Sequence, residues 1–145
     1  MTEQEKKELQ ERVKSVIERV NNAAVQAGRD PSEITLVAAT KMNDAERVQA
    51  AIEAGIRVCG ENRVQELQEK YEQNAYDGAD LQFIGTLQTN KVKYIAPFVR
   101  LIHSVDSARL AEAIQKEAAK CGRTIDILLE IHVAEEETKT GWNIG

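Results

Sequence analysis

The chain predicts an α/β fold built on a parallel sheet. Apolar runs of strand length alternate with amphipathic helical stretches, and the strands recur roughly every twenty to twenty-five residues, close to one βα unit. Turn residues punctuate the runs: Pro31-Ser32, Asn43-Asp44, Gly55, Pro97 and Gly122. The first run, Ile34 to Lys41 (ITLVAATK), is apolar or β-branched almost throughout. That composition suits a strand covered on both faces, the usual situation in parallel sheets, whose crossovers are right-handed.

The elements follow in order. Leu9, Val13, Val16, Ile17, Val20 and Ala24 recur at three- and four-residue steps, which predicts one helix from Thr2 to Gly28. Thr2 and Glu5 have capping-box spacing, and Gly28 suits the position just past the end. After the first strand, Ala45, Val48, Ala51 and Ile52 mark a helix from Asp44 to Ala54. A short second strand, Ile56 to Cys59, leads into Gly60-Glu61-Asn62, and a third helix runs from Arg63 to Tyr71 with Val64 and Leu67 inward. Asn74 to Asp80 is a polar turn region. Leu81 to Leu87 is the third strand, followed by a helix from Thr89 to Ala96 that Pro97 stops. The fourth strand, Leu101 to Val105, carries His103, and Asp106 or Ser107 caps a helix that Gly122 ends. Ile125 to Val133 is the fifth strand and the longest apolar run, and the tail after it reads as a polar loop.

A chain of 145 residues fits a single domain over 1–145. Its 19 basic against 24 acidic residues give a net charge of −5, so the basic footprint that nucleic acid requires is missing. No run is long enough to span a bilayer, and the opening MTEQEKKELQ is charged and polar, unlike a signal peptide; a cytoplasmic protein without membrane association is expected. Cys59 and Cys121 are far apart without metal-ligand spacing, so thiols are expected and no metal site. On pattern alone the complete, doubly wound sheet of the flavodoxin type is preferred over the first part of a (β/α)8 barrel, which ordinarily needs some two hundred residues or more. A receiver-type module is disfavoured because no acidic pair follows the first strand.

In either architecture ligands sit at the carboxyl ends of the strands. Lys41 falls at the tip of the first, where a partly dehydrated amine would lose its proton near neutral pH and attack an aldehyde, against the alternative of a solvated loop lysine. Asn62 follows a glycine that lets the chain turn sharply toward a ligand, or GEN is simply a turn and cap sequence. Gly85 to Lys91 opens a helix with hydroxyl and glycine residues but lacks the P-loop and dinucleotide fingerprints. His103 is a strand-end candidate or a satisfied core histidine. Lys139 follows the fifth strand, and no residue qualifies as part of a catalytic triad.

Five blocks occur in fitting order: VAATK at Val37–Lys41, GENRVQE at Gly60–Glu66, FIGTLQTNKVKYIAP at Phe83–Pro97, IHSVDS at Ile102–Ser107 and ETKTGW at Glu137–Trp142. Together they resemble the pyridoxal phosphate homeostasis protein family, single-domain relatives of the alanine racemase N-terminal barrel, over essentially the whole chain. The resemblance implies a TIM-like (β/α)8 barrel with an extra N-terminal helix, here about its first five βα units plus that helix. It implies pyridoxal 5′-phosphate as cofactor, held as a Schiff base on Lys41, with Asn62 beside it and Lys139 as a second family lysine near the pocket. His103 is counted with these cofactor-binding residues. The role implied is a carrier or regulator of intracellular cofactor balance, with no catalytic reaction and a monomeric whole protein. The alternative is an amino-acid racemase or decarboxylase using the same lysine, which would normally add a C-terminal β-domain. Relatives continue through three more βα units that carry the phosphate-binding loops. This chain alone is therefore expected to hold the cofactor weakly and to expose strand edges through which copies can associate.

Overall fold

Thr2 starts the longest helix, as its hydroxyl predicts. In a computed structural model, which describes residues 1–133 and 142–143, α1 spans Glu3–Gln26. The Glu5 amide donates to Thr2 Oγ1 at 3.1 Å and the Thr2 amide to Glu5 Oε2 at 3.1 Å, the reciprocal capping box. Gly28 takes the left-handed position beyond the last turn at φ 74°. α1 packs on α2 (Ala45–Glu53), where Gln10 Nε2 donates to the Ala50 carbonyl at 3.0 Å. Asp44 caps α2 by accepting the Arg47 amide at 2.9 Å.

The strands are β1 (Ala38–Ala39), β2 (Val58–Glu61), β3 (Asp80–Phe83), β4 (Leu101–Val105) and β5 (Asp126–Leu129), with α3 (Val64–Glu72), α4 (Val92–Ile95) and α5 (Ala108–Lys120) between them. They form one sheet in the order β1-β2-β3-β4-β5, with β3–β4 and β4–β5 parallel. The order decides between the two architectures. A doubly wound sheet of the flavodoxin kind places its second strand outside the first, whereas a barrel adds every strand beside its predecessor. The pattern-only preference for the doubly wound sheet is therefore corrected, and the TIM-like α/β arrangement of five successive units behind an N-terminal helix holds.

Strand lengths also differ from the periodicity. β1 is two residues, because Asp30 caps a 3₁₀ turn at Pro31–Glu33 and Ile34 to Leu36 then line a cavity of about 270 Å³ with Ile17, Val20, Ile56 and Val58. Their apolar side chains pack without a strand ladder. β2 extends one position past Gly60, so Glu61 is a buried strand residue. The helix expected from Thr89 begins as a 3₁₀ turn (Thr89–Lys91). The fifth run breaks at Glu130, whose amide donates to the Val105 carbonyl at 2.8 Å; Ile131–His132 (β6) then pairs in parallel with Trp142–Asn143 (β7).

The chain packs as two compact units. The first, Met1–Cys59 with Lys70–Asp80, buries Val48, Ile52, Ile56, Val58 and Tyr76. The second, Gly60–Glu69 with Leu81–Gly145, buries Leu67, Phe83, Ile95, Ile102, Val105 and Leu110. Within it β4 buries Ile102, Ser104 and Val105, while all four residues of β5 are exposed. Arg123 at the end of α5 donates to the carbonyls of Ala96 and Val99, closing the turn after α4. Among the described residues no helix is long and apolar enough to cross a membrane.

Candidate functional site

In the first unit β1 stops at Ala39, and the chain turns over Thr40 to Asn43, the Asn43 amide donating to the Thr40 carbonyl at 3.2 Å. Lys41 occupies the second position of this turn and is exposed. The partly dehydrated amine expected at the strand tip is therefore corrected: the strand ends two residues early, and the turn carries the side chain into solvent. Met42, the third position, has φ 64° and is 93% exposed. A non-glycine residue in the left-handed region is strained by roughly 1–2 kcal/mol, so other interactions must hold the turn. Two are visible. Asn43 Nδ2 donates to the Lys41 carbonyl at 3.1 Å. Lys70 Nζ, from the last turn of α3, donates to the Thr40 carbonyl at 2.6 Å in a buried setting.

The second unit holds Asn62, Gly85, Ser104 and His103. Gly85 lies so close to residue 62 that a Cβ on it would fall 2.1 Å from the Asn62 carbonyl oxygen. Only glycine permits that approach. The Ile84 amide donates to the Glu61 carbonyl at 2.9 Å, and Ser104 Oγ to the Gly85 carbonyl at 2.5 Å, so backbone clamps the GEN segment. Asn62 Oδ1 is buried and has no hydrogen-bond partner among the described residues. A buried, unsatisfied amide oxygen is costly and rare, and it marks a place where a donor from elsewhere would be welcome. Asn62 also lines a cavity of about 640 Å³ with Arg63, Thr86, Gln88, Lys91 and Tyr94. Part of the Gly85–Lys91 segment thus faces the same space as Asn62.

His103 belongs elsewhere. Strand alternation puts it on the opposite face from Ser104, and its Nε2 lies 2.7 Å from Gln82 Oε1, to which it donates. Burial holds its imidazole below the ordinary value of 6.5, so it is a neutral, paired strand histidine. Lys139 lies outside the described residues. Among the described residues there is no cluster of side chains able to hold a metal ion.

Sequence reasoning missed Lys70 and Gln82. Lys70 left a signal: it stands three residues after Leu67 on the inward face of α3, where a lysine interrupts the apolar stripe. Gln82 left none, since a buried glutamine in a strand is legible only once its partner is known.

Lys41 in the first unit and Asn62 in the second each carry a group that pyridoxal phosphate chemistry can use. The amine of Lys41 is accessible to an aldehyde, and the Asn62 amide oxygen lacks a donor. The molecule defined so far is an α/β protein of successive βα units with a lysine on a strained turn at its first strand end. No family model matches the chain. It is 46% identical over 133 residues to the pyridoxal phosphate homeostasis protein of Aquifex aeolicus, covering 90% of this chain and 58% of that protein. It is 33% identical over 129 residues to the Escherichia coli protein of the same name, covering 87% and 55%. A crystal structure of an unknown protein from Bifidobacterium adolescentis matches with a TM-score of 0.87 and 37% identity, covering 99% of this chain and 62% of that one. The structure of PipY from Synechococcus elongatus with PLP bound matches with a TM-score of 0.70 and 31% identity, covering 86% and 57%. The chain is thus similar over most of its length to proteins named pyridoxal phosphate homeostasis protein, and it spans little more than half the length of these relatives.

Proposed function

We propose that this chain is the part of a cytoplasmic pyridoxal phosphate carrier that provides its covalent attachment point, Lys41. The observation that carries the reading is an accessible amine on a turn held at both flanking carbonyls, in a chain homologous to proteins named for pyridoxal phosphate homeostasis. The PLP-bound PipY structure supports the choice of cofactor. Pyridoxal phosphate supplies an aldehyde, and a neutral amine converts it to a C=N linkage with loss of water. Within the first unit Lys41 presents that amine; within the second, Asn62 carries an Oδ1 without a donor among the described residues and lines a cavity with the cations Arg63 and Lys91. The pairing of His103 with Gln82 supports leaving it out of this role. Lys139 is kept as a second lysine in cofactor exchange, on the family resemblance alone.

The carrier reading is favoured over a racemase or decarboxylase by the name its relatives share, pyridoxal phosphate homeostasis protein. Borohydride reduction of the cofactor-loaded chain, followed by peptide mapping, is expected to place the label on Lys41. Label on another lysine, or on none, would overturn the assignment. Amino-acid α-proton exchange in heavy water separates carrier from enzyme, and sustained turnover would favour the enzyme.

A further inference from the structure

We propose that Lys70 is a positioning residue for the amine of Lys41, acting through the carbonyl of Thr40; the inference rests on the carrier reading above. Lys70 is 6% exposed, a costly place for an ammonium group that a leucine or methionine would occupy more readily. Its Nζ reaches the Thr40 carbonyl at 2.6 Å, the short distance of a charge-assisted bond. That carbonyl belongs to the peptide immediately before Lys41. The carbonyl immediately after Lys41 is its own, and Asn43 Nδ2 holds it at 3.1 Å. Both peptide planes that flank the Lys41 Cα are thus fixed by side-chain donors, and two planes define the residue's φ and ψ. The same turn contains the strained left-handed Met42, which by itself would relax toward other conformations. Backbone strain at a residue next to a reacting amine, locked by a buried cation, is the arrangement that holds a nucleophile in one approach geometry.

The chemistry to be positioned is the attack of the Lys41 nitrogen on the aldehyde carbon: a C=N bond forms, the carbonyl oxygen leaves as water, and the amine's protons go to that water. Lys70 does not touch the aldehyde; it sets where the Lys41 side chain starts.

The test compares the unaltered chain with Lys70→Met, Lys70→Arg and, as a surface control, Lys116→Met. Two quantities are measured: the rate at which pyridoxal phosphate becomes borohydride-trappable at Lys41, read by peptide mapping, and the melting temperature. Trapping is run well below the melting temperature of every variant. Lys70→Met is expected to slow trapping at Lys41 about tenfold, with Lys70→Arg recovering most of the rate and Lys116→Met unchanged. If Lys70→Met lowers the melting temperature but traps at the unaltered rate, Lys70 is only structural and the proposal fails. Should Lys70→Met not fold, Asn43→Ala removes the other lock from an exposed side chain. A slower rate supports positioning by the turn, and an unchanged rate in Asn43→Ala overturns it. Absence of label at Lys41 in the unaltered chain is a separate outcome, which overturns the carrier reading and takes the positioning role with it.

Discussion

At the end of β1, side chains grip an exposed backbone turn: Lys70 and Asn43 hold the two carbonyls around Lys41, and the residues between them face solvent. At the ends of β2 and β3, backbone grips backbone: Gly85 lies on the Asn62 peptide and Ile84 bonds the Glu61 carbonyl. The first arrangement can be loosened one side chain at a time with the fold intact. The second admits no side chain at all, so altering it means moving the main chain. Under the proposed function, the first kind of support would suit a lysine meeting a diffusing aldehyde and the second an amide keeping one direction.

The largest expected effect tests the backbone clamp. Gly85→Ala pushes a methyl into the Asn62 carbonyl, and denaturant unfolding should show a loss on the order of 3 kcal/mol. A variant within about 0.5 kcal/mol of the unaltered chain would show that the two segments separate freely. On the other side, Asp44→Ala removes the cap of α2 just past the turn and should cost about 1 kcal/mol. The Arg47 amide, aided by its guanidinium, holds the Asp44 carboxyl below its ordinary 3.8. Its folded-state value is thus depressed, so this contribution is complete above 3.8 and disappears as pH falls through the folded value; the alanine variant should lack that acid limb.

Met42→Gly should act in the opposite direction. Relief of the left-handed strain exceeds the entropy that glycine adds to the unfolded chain, for a net gain of about 0.5 kcal/mol in thermal unfolding. The smallest effect belongs to His103. Its folded value lies below 6.5, so the unfolded chain takes up the proton first as acid is added. Stability should therefore fall as pH drops below 6.5 and level off beneath the folded value, a slope that His103→Asn would flatten in unfolding measured from pH 7 to pH 5.

Local signals in the sequence were dependable. The Thr2–Glu5 box, the cap at Ser107 (one of the two residues offered, Asp106 or Ser107) and the glycines after α1 and α5 appear where their chemistry puts them, because each involves residues within one turn of helix. Strand ends were not legible, since Ile34 to Leu36 have strand composition yet line a cavity wall. The choice between sheet architectures depended on which strands are neighbours, and periodicity carries no such information. Lys41 was visible as the polar end of an apolar run. Its exposure was not, because that follows from a turn starting at Thr40 that only the backbone reveals. The same limit applied to Lys70, whose importance lies in a partner thirty residues away.

The thioether of Met42 gives this chain an optical-free witness to events at its neighbour. Standing 93% in solvent, it is open to mild peroxide, and sulfoxide formation adds a mass that needs neither a dye nor a substitution to follow. A molecule bonded to the adjacent amine would shade that sulfur. A slower oxidation on adding pyridoxal phosphate would then report occupancy of Lys41.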